Sequence, residues 1–257
     1  MTVLSRISKV YRTALLLMIG LALGGGWTTY RDFRHGQQAR LDFAQLDRAG
    51  RASASNTAFL NSHNHANTSL RTTQNFQPAG WHSNSGENLV YNRGHLIAYS
   101  LTGGIDPRTG QFRAGALGDQ DNPRNLFTET DFTNEVLQTH YEARVRHAIE
   151  QGKHVIYQAT PIFRGDEQMA RGINLQALST DGTLNFNVFL YNVEPGVLLN
   201  YQSGSSQADS RMRVYVPTYM NEDNSDDRSA GDGNLRVVGH YPTPFADAPR
   251  HYYRISQ

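Results

Sequence analysis

The sequence predicts a mixed α+β fold: strands, a long loop, one core helix, then more sheet. Three patterns carry that expectation. Between Asp131 and Gly152, the residues Leu137, Tyr141, Val145 and Ile149 recur every four positions and make one apolar stripe, as a helix with one buried face requires. Leu184, Phe186, Val188 and Leu190 alternate with Asn185 and Asn187, which is the period of a half-buried strand. His154 to Ala159 (HVIYQA) is a second strand-like run, and Thr180-Asp181-Gly182 marks the turn before the strand at 184.

The chain begins with Arg6, Lys9 and Arg12, ahead of any acid, followed by the apolar run Ala14 to Ala22 and the aromatics Trp27 and Tyr30. A basic stretch followed by an apolar one is the pattern of an export signal, and the run is short for a relaxed membrane span. Residues 1–30 are therefore expected to be either a cleaved signal peptide or an N-terminal membrane anchor. Both place the remainder outside the cytoplasm, because the basic residues hold the N-terminus inside. Residues 31–75, polar and weakly periodic, are expected as a stalk or entry segment. Residues 76–220 then form the main domain.

Within that domain, Asn88 to Tyr91 is expected as a short strand. Gly103 to Pro123 holds five Gly, two Pro and three Asp, so it is expected as a long loop of functional use. Gly152 stops the helix that starts near Asp131. Residues 221–233 carry Glu222, Asp223, Asp226, Asp227 and Asp232. Their spacing is not that of a calcium loop, so they read as an acidic linker before a C-terminal tail, 234–257.

Composition excludes several chemistries. The 257 residues include no cysteine, so disulfides, thiolate metal sites and cysteine nucleophiles are absent. The formal net charge is +1, so any phosphate-binding surface must be local rather than global. Lys9 and Lys153 are the only lysines. Nearly all positive charge therefore sits on guanidinium groups, which present a planar fork to phosphate.

The densest chemistry lies in Asn92-Arg93-Gly94-His95, followed by Asn125, Asn134 and Glu142. A histidine with a reference pKa of ~6.5 is an available base at neutral pH. Arginine clamps phosphate oxygens, and a carboxamide is a neutral oxygen ligand for a hard divalent cation. That set suits phosphodiester hydrolysis. His63-Asn64-His65 lies in a polar region before the core and reads as a decoy. His82 reads as structural. Arg71, Arg108 and Arg113 are candidate substrate-binding residues on flexible segments.

The blocks YNRGHLIAYSLTGG (91–104), DNPRNLFTETDFTN (121–134), YEARVRHAIEQGKHVIYQATPIF (141–163) and DGTLNFNVFLYNVEPG (181–196) resemble the DNA/RNA non-specific endonucleases. The likeness is strongest to the membrane-anchored DNA-entry nucleases of Gram-positive bacteria. The resemblance implies a ββα-metal finger nuclease core with a central antiparallel sheet and one long core helix. It places the general base on His95, an Arg near phosphate on Arg93, the metal-ligating Asn on Asn134 and a site-shaping Asn on Asn125. The helical Glu falls on Glu142 and a phosphate-stabilising Arg on Arg146. The motif's first residue is Asp in most members and Asn92 here.

Eight residues of straight helix rise about 12 Å. Glu142 is therefore expected to act through metal-bound water rather than share the ion directly with Asn134. The implied cofactor is Mg²⁺, with Mn²⁺ as a candidate substitute, and the implied substrates are DNA and RNA. The alternative function is a catalytically weak or inactive anchored module that binds DNA for uptake.

Overall fold

The computed structural model describes residues 38–85, 89–217 and 235–238. The N-terminal segment and the acidic linker lie outside the described residues, and so does the C-terminal tail apart from 235–238. Among the described residues, no helix is long and apolar enough to cross a membrane.

The central sheet is antiparallel and five-stranded. Its strands are β1 (Arg40–Asp42), β2 (Asn56–Leu60), β5 (Val155–Ile162), β6 (Gly172–Ser179) and β7 (Asn185–Tyr191), in the order β1-β2-β5-β6-β7. Between β2 and β5 the chain makes a separate hairpin, β3 (Tyr91–His95) with β4 (Leu126–Thr130). The helix follows β4 directly, as a π-helical turn (Thr133–Gln138) that runs into α1 (Thr139–Glu150). This hairpin-then-helix unit is the ββα arrangement.

The apolar stripe read from the sequence is the helix's buried face: Leu137, Tyr141, Val145 and Ile149 are all in the core. They meet the sheet face made by Val155, Tyr157, Ile173, Leu175, Ala177, Phe186 and Leu190. The rings of Tyr141 and Phe186 stand 5.2 Å apart. Strand β7 alternates as expected, with Phe186 and Leu190 inward and Asn185, Asn187, Phe189 and Tyr191 exposed.

Three expectations change. The segment 31–75, expected as a stalk or entry segment, already holds β1 and β2 at 40–42 and 56–60, the sheet's edge strand and its neighbour. Asn56–Leu60 is buried along its whole length, so it shows no alternation to read. The expected strand at 88–91 instead begins at Tyr91 and runs through the motif to His95, because 91–95 pairs with 126–130. Of the expected C-terminal tail, Leu235–Val238 is a strand, β11, paired with β10 (Val214–Pro217). A further hairpin joins β8 (Val197–Leu199) and β9 (Ser206–Ala208).

The loop 103–123 is pinned to the fold. Gly110 donates to Asp106 and accepts from the Leu41 amide at 2.7 Å. A Cβ there would lie 1.9 Å from the Leu41 carbonyl oxygen, and its φ is +74°, so only glycine fits.

Candidate active site

Alternation along β3 places Arg93 and His95 on one face of the hairpin and Asn92 and Gly94 on the other. On the first face, His95 is 5% exposed, and its Nε2 lies 3.2 Å from the carbonyl oxygen of Gln120. A carbonyl only accepts, so Nε2 carries the proton and Nδ1 keeps its lone pair. Burial, with help from the Arg71 guanidinium, pulls the His95 pKa down to about 4. The Asp119 backbone also lies against the ring; the imidazole is neutral at pH 7 and keeps one unprotonated nitrogen, as a general base requires.

Arg93 is fixed on that face by a bond from Nε to the Phe76 carbonyl at 2.6 Å and by stacking 4.2 Å over the Trp81 ring. Asn92 points away and donates to Asp131 at 2.9 Å. It therefore does not orient Arg93. The amide also removes a conflict, since an Asp at 92 would set a second carboxylate against Asp131.

Asn125 is fully buried. Its Oδ1 accepts from the Ile97 amide at 3.0 Å and from Asn56 at 3.1 Å, and its Nδ2 donates to the Ile97 carbonyl at 2.9 Å. The side chain is committed to fixing the chain just past His95, so it shapes the site rather than touching a substrate.

The helix supplies the other groups. Its N-terminus is held by Thr130, whose Oγ1 accepts from Thr133, and by Glu194, which accepts from the Phe132 amide at 2.9 Å. Asn134 is thus not the cap. The amide and hydroxyl of Thr139 both donate to the Asn134 carbonyl. This i to i+5 bond inserts a residue and takes the helix out of regular register at Asn134, a device common at functional sites. Asn134 is half-buried, and its Nδ2 donates to Glu135 at 2.9 Å.

One turn on, Gln138 donates from Nε2 both to the His95 carbonyl at 2.6 Å and to Glu142 Oε1 at 2.9 Å. It ties the base strand to the helix carboxylate. Burial pushes the Glu142 pKa up to about 7, against the pull of Arg146 and Arg71. Arg146 itself bonds Ser100 at 2.9 Å.

His95, Glu142, Gln138, Arg71 and Arg146 therefore share one neighbourhood. The exposed Arg108 and Arg113 lie in a groove with Arg124 and Gln120, and Gln120 is the residue whose carbonyl holds His95. The decoys stay apart. Asn64 is a buried loop cap, His63 packs on Phe112, and His65 lies 3.8 Å from Glu150. His82 bonds the Ser203 carbonyl at 3.0 Å.

Gln138, Glu135 and the Gln120 carbonyl escaped sequence reading. A glutamine in a helix and a backbone oxygen carry no motif. The proximity of Glu135 to Asn134 was the one signal available.

The oxygen donors suit a hard cation. Among the described residues, no three His, Cys, Asp or Glu side chains converge as a cage. An ion held through the Asn134 amide would keep most of its waters, as Mg²⁺ does.

Gly94 is set by close approach. A Cβ there would lie 2.1 Å from Glu129 Oε2 and 2.7 Å from Glu129 Cβ. Gly94→Ala is expected to destabilise the fold by about 1–3 kcal/mol, read as a lower urea midpoint. An unchanged midpoint would show that the hairpin yields freely.

The profile of the family described as DNA/RNA non-specific endonuclease matches residues 32–181. The chain is 30% identical over 103 residues to a deoxyribonuclease of Streptococcus dysgalactiae subsp. equisimilis, a match covering 38% of this chain and 32% of that protein. The matched part thus spans about a third of that relative's length. Among solved structures, NucA from Streptococcus agalactiae with magnesium ion bound is similar at 28% identity and a TM-score of 0.58, over 68% of this chain and 81% of that one. The Sda1 nuclease with bound zinc ion is similar in fold, with 21% identity and a TM-score of 0.51, over 70% of this chain and 87% of that one.

Proposed function

The chain belongs to the DNA/RNA non-specific endonuclease family, and from that premise we propose that it is an extracytoplasmic, metal-dependent endonuclease. It hydrolyses DNA, with RNA as a second substrate, without sequence preference, and leaves 5′-phosphate ends. The observation that carries this reading is the His95 environment: a buried, neutral imidazole whose Nε2 is held by the Gln120 carbonyl.

In this mechanism His95 Nδ1 accepts the proton of the attacking water. Arg71, which acts electrostatically on both His95 and Glu142, draws the phosphate toward them. Arg93 and Arg146 add charge at its nonbridging oxygens. Gln138 keeps Glu142 and the His95 strand at a fixed separation. Asn134 would hold Mg²⁺ (Mn²⁺ as substitute), and Glu142 would bond its water. When bound, the ion supplies charge to the transition state and to the departing 3′-oxygen. Arg108, Arg113 and Arg124 would follow the sugar-phosphate backbone along their groove. Contacts to phosphate fix position without reading sequence.

The alternative, an inactive DNA-binding module, rests on Asn92 in place of Asp. That residue lies on the face away from Arg93 and His95 and is paired with Asp131, which favours the enzyme. Export or anchoring through residues 1–30 is part of the same proposal.

The test is incubation of residues 31–257, which retain every strand of the sheet, with plasmid DNA and with RNA, plus Mg²⁺ or EDTA. Degradation that EDTA abolishes is the expected result. DNA retention with no cleavage under Mg²⁺ or Mn²⁺ would favour the binding module instead.

A further inference from the structure

The β3–β4 hairpin covers polar atoms that the proposed chemistry does not use. Glu129, opposite Asn92 in the hairpin ladder, is fully buried, and neither carboxyl oxygen has a hydrogen-bond partner. The Tyr157 hydroxyl, from β5, is also buried and unpartnered, and so is Gln138 Oε1 on the π-helical turn. Buried polar groups normally find partners, so three orphans in one region need a reason.

They border the same machinery. Glu129 Oε2 lies against Gly94, at 2.1 Å from where a Cβ would stand, immediately before His95. Gln138 is the residue that bonds both the His95 carbonyl and Glu142. Glu142 and Glu129 both act on Tyr157, and Glu142 acts on Glu129.

An ionised carboxylate buried without a donor is far more costly than a neutral acid. Burial holds the Glu129 pKa well above the usual carboxylate range, and the charged groups that act on it, Glu142 on α1 and Glu135 on the π-helical turn, are both acids. A neutral carboxylic acid carries an O–H donor. No direct bond joins these groups, so the hydroxyl donors of Glu129 and Tyr157 would complement the unpartnered Gln138 Oε1 across a bridging water.

We propose that Glu129 is a positioning residue for the phosphodiester hydrolysis put forward above: a neutral carboxylic acid that, with Tyr157, holds Gln138 and through it the His95 strand and Glu142. Gly94 is what leaves room for it. The inference rests on the nuclease reading for its catalytic half and on burial alone for its neutral-acid half.

The test compares the full chain with Glu129→Gln and Glu129→Leu. It reads kcat and KM on plasmid DNA at saturating Mg²⁺, the unfolding midpoint, and the protonated-carboxyl band in the infrared spectrum at neutral pH. Leucine removes an orphaned polar group, so Glu129→Leu should be at least as stable as the parent. Its kcat should nevertheless fall by about 10- to 100-fold at little-changed KM, as small misplacements of catalytic groups do. Glutamine keeps a neutral donor of the same shape and should restore kcat to within about threefold, on the same geometric argument. Glu194, Asp119 and Glu142 are also pushed up by burial and share the band, so the Glu129 component is read as the intensity that Glu129→Gln loses and Glu142→Gln keeps.

Parent-like kcat in Glu129→Leu, equal impairment in both variants, or a band of undiminished intensity in Glu129→Gln would overturn the proposal. If the parent chain cleaves nothing, the nuclease reading falls and the positioning role with it, while the band still decides whether Glu129 is neutral.

Discussion

His95→Ala is expected to lower kcat by about 10²- to 10⁴-fold, the usual contribution of a positioned general base, with KM little changed. The ring is held by the Gln120 carbonyl and lies beside Arg71. The pH profile of the parent carries the same assignment. With the His95 pKa at about 4, the base stays unprotonated through mildly acidic pH, and the His95 contribution to the acid limb of kcat should lie below about pH 5. A free histidine would place it near ~6.5. Glu142, pushed up to about 7, titrates in that range too, so an acid limb near the free-histidine value that persists in Glu142→Gln would exclude His95 as the base in this environment.

Stability should follow the same group. The folded pKa lies below the unfolded value of ~6.5, so folding favours the neutral ring. Its contribution is whole above about pH 6.5 and is lost as pH falls toward about 4, amounting to roughly 3 kcal/mol. His95→Ala should therefore lose less stability than the parent between neutral and mildly acidic pH, measured by urea unfolding at both.

Asn134→Ala should raise the Mg²⁺ concentration needed for half-maximal activity by about 100-fold or more. Loss of groups that merely support a ligand already costs about 10- to 100-fold in metal affinity. The fold should be unaffected, because Thr130 and Glu194 cap the helix and Asn134 does not. Calorimetric titration with Mg²⁺, alongside the activity curve, separates metal loss from misfolding. Unchanged Mg²⁺ dependence in a folded Asn134→Ala would move the ion elsewhere, with Glu135 and Glu142 the first residues to examine.

The same division between pattern and packing separates what could be read from the chain from what could not. The helix was legible because Leu137, Tyr141, Val145 and Ile149 repeat at its period, and β7 because its two faces differ. Strands β2 and β4 were not, since both are buried on every residue and a strand covered on both faces has no alternation. The π-helical turn was invisible as well. A one-residue insertion shifts register by hydrogen bonding at Thr139 and Asn134, and that leaves the apolar stripe readable.

The sequence by itself determined which residue types are available for chemistry: one His-bearing motif, carboxamides and guanidinium groups, with no thiol. It also determined the amphipathic helix on which Asn134, Glu142 and Arg146 ride, because side-chain chemistry and local periodicity are written residue by residue. Only the tertiary structure decided that Asn92 faces Asp131 rather than Arg93. It alone brought the Gln120 carbonyl to His95, bridged His95 and Glu142 through Gln138, and buried Glu129 against Gly94. Those contacts join the hairpin strands, the loop and the helix across separations from four to 43 residues. Except where both partners share one helix, their formation depends on the packing of one element on another, which no local pattern records.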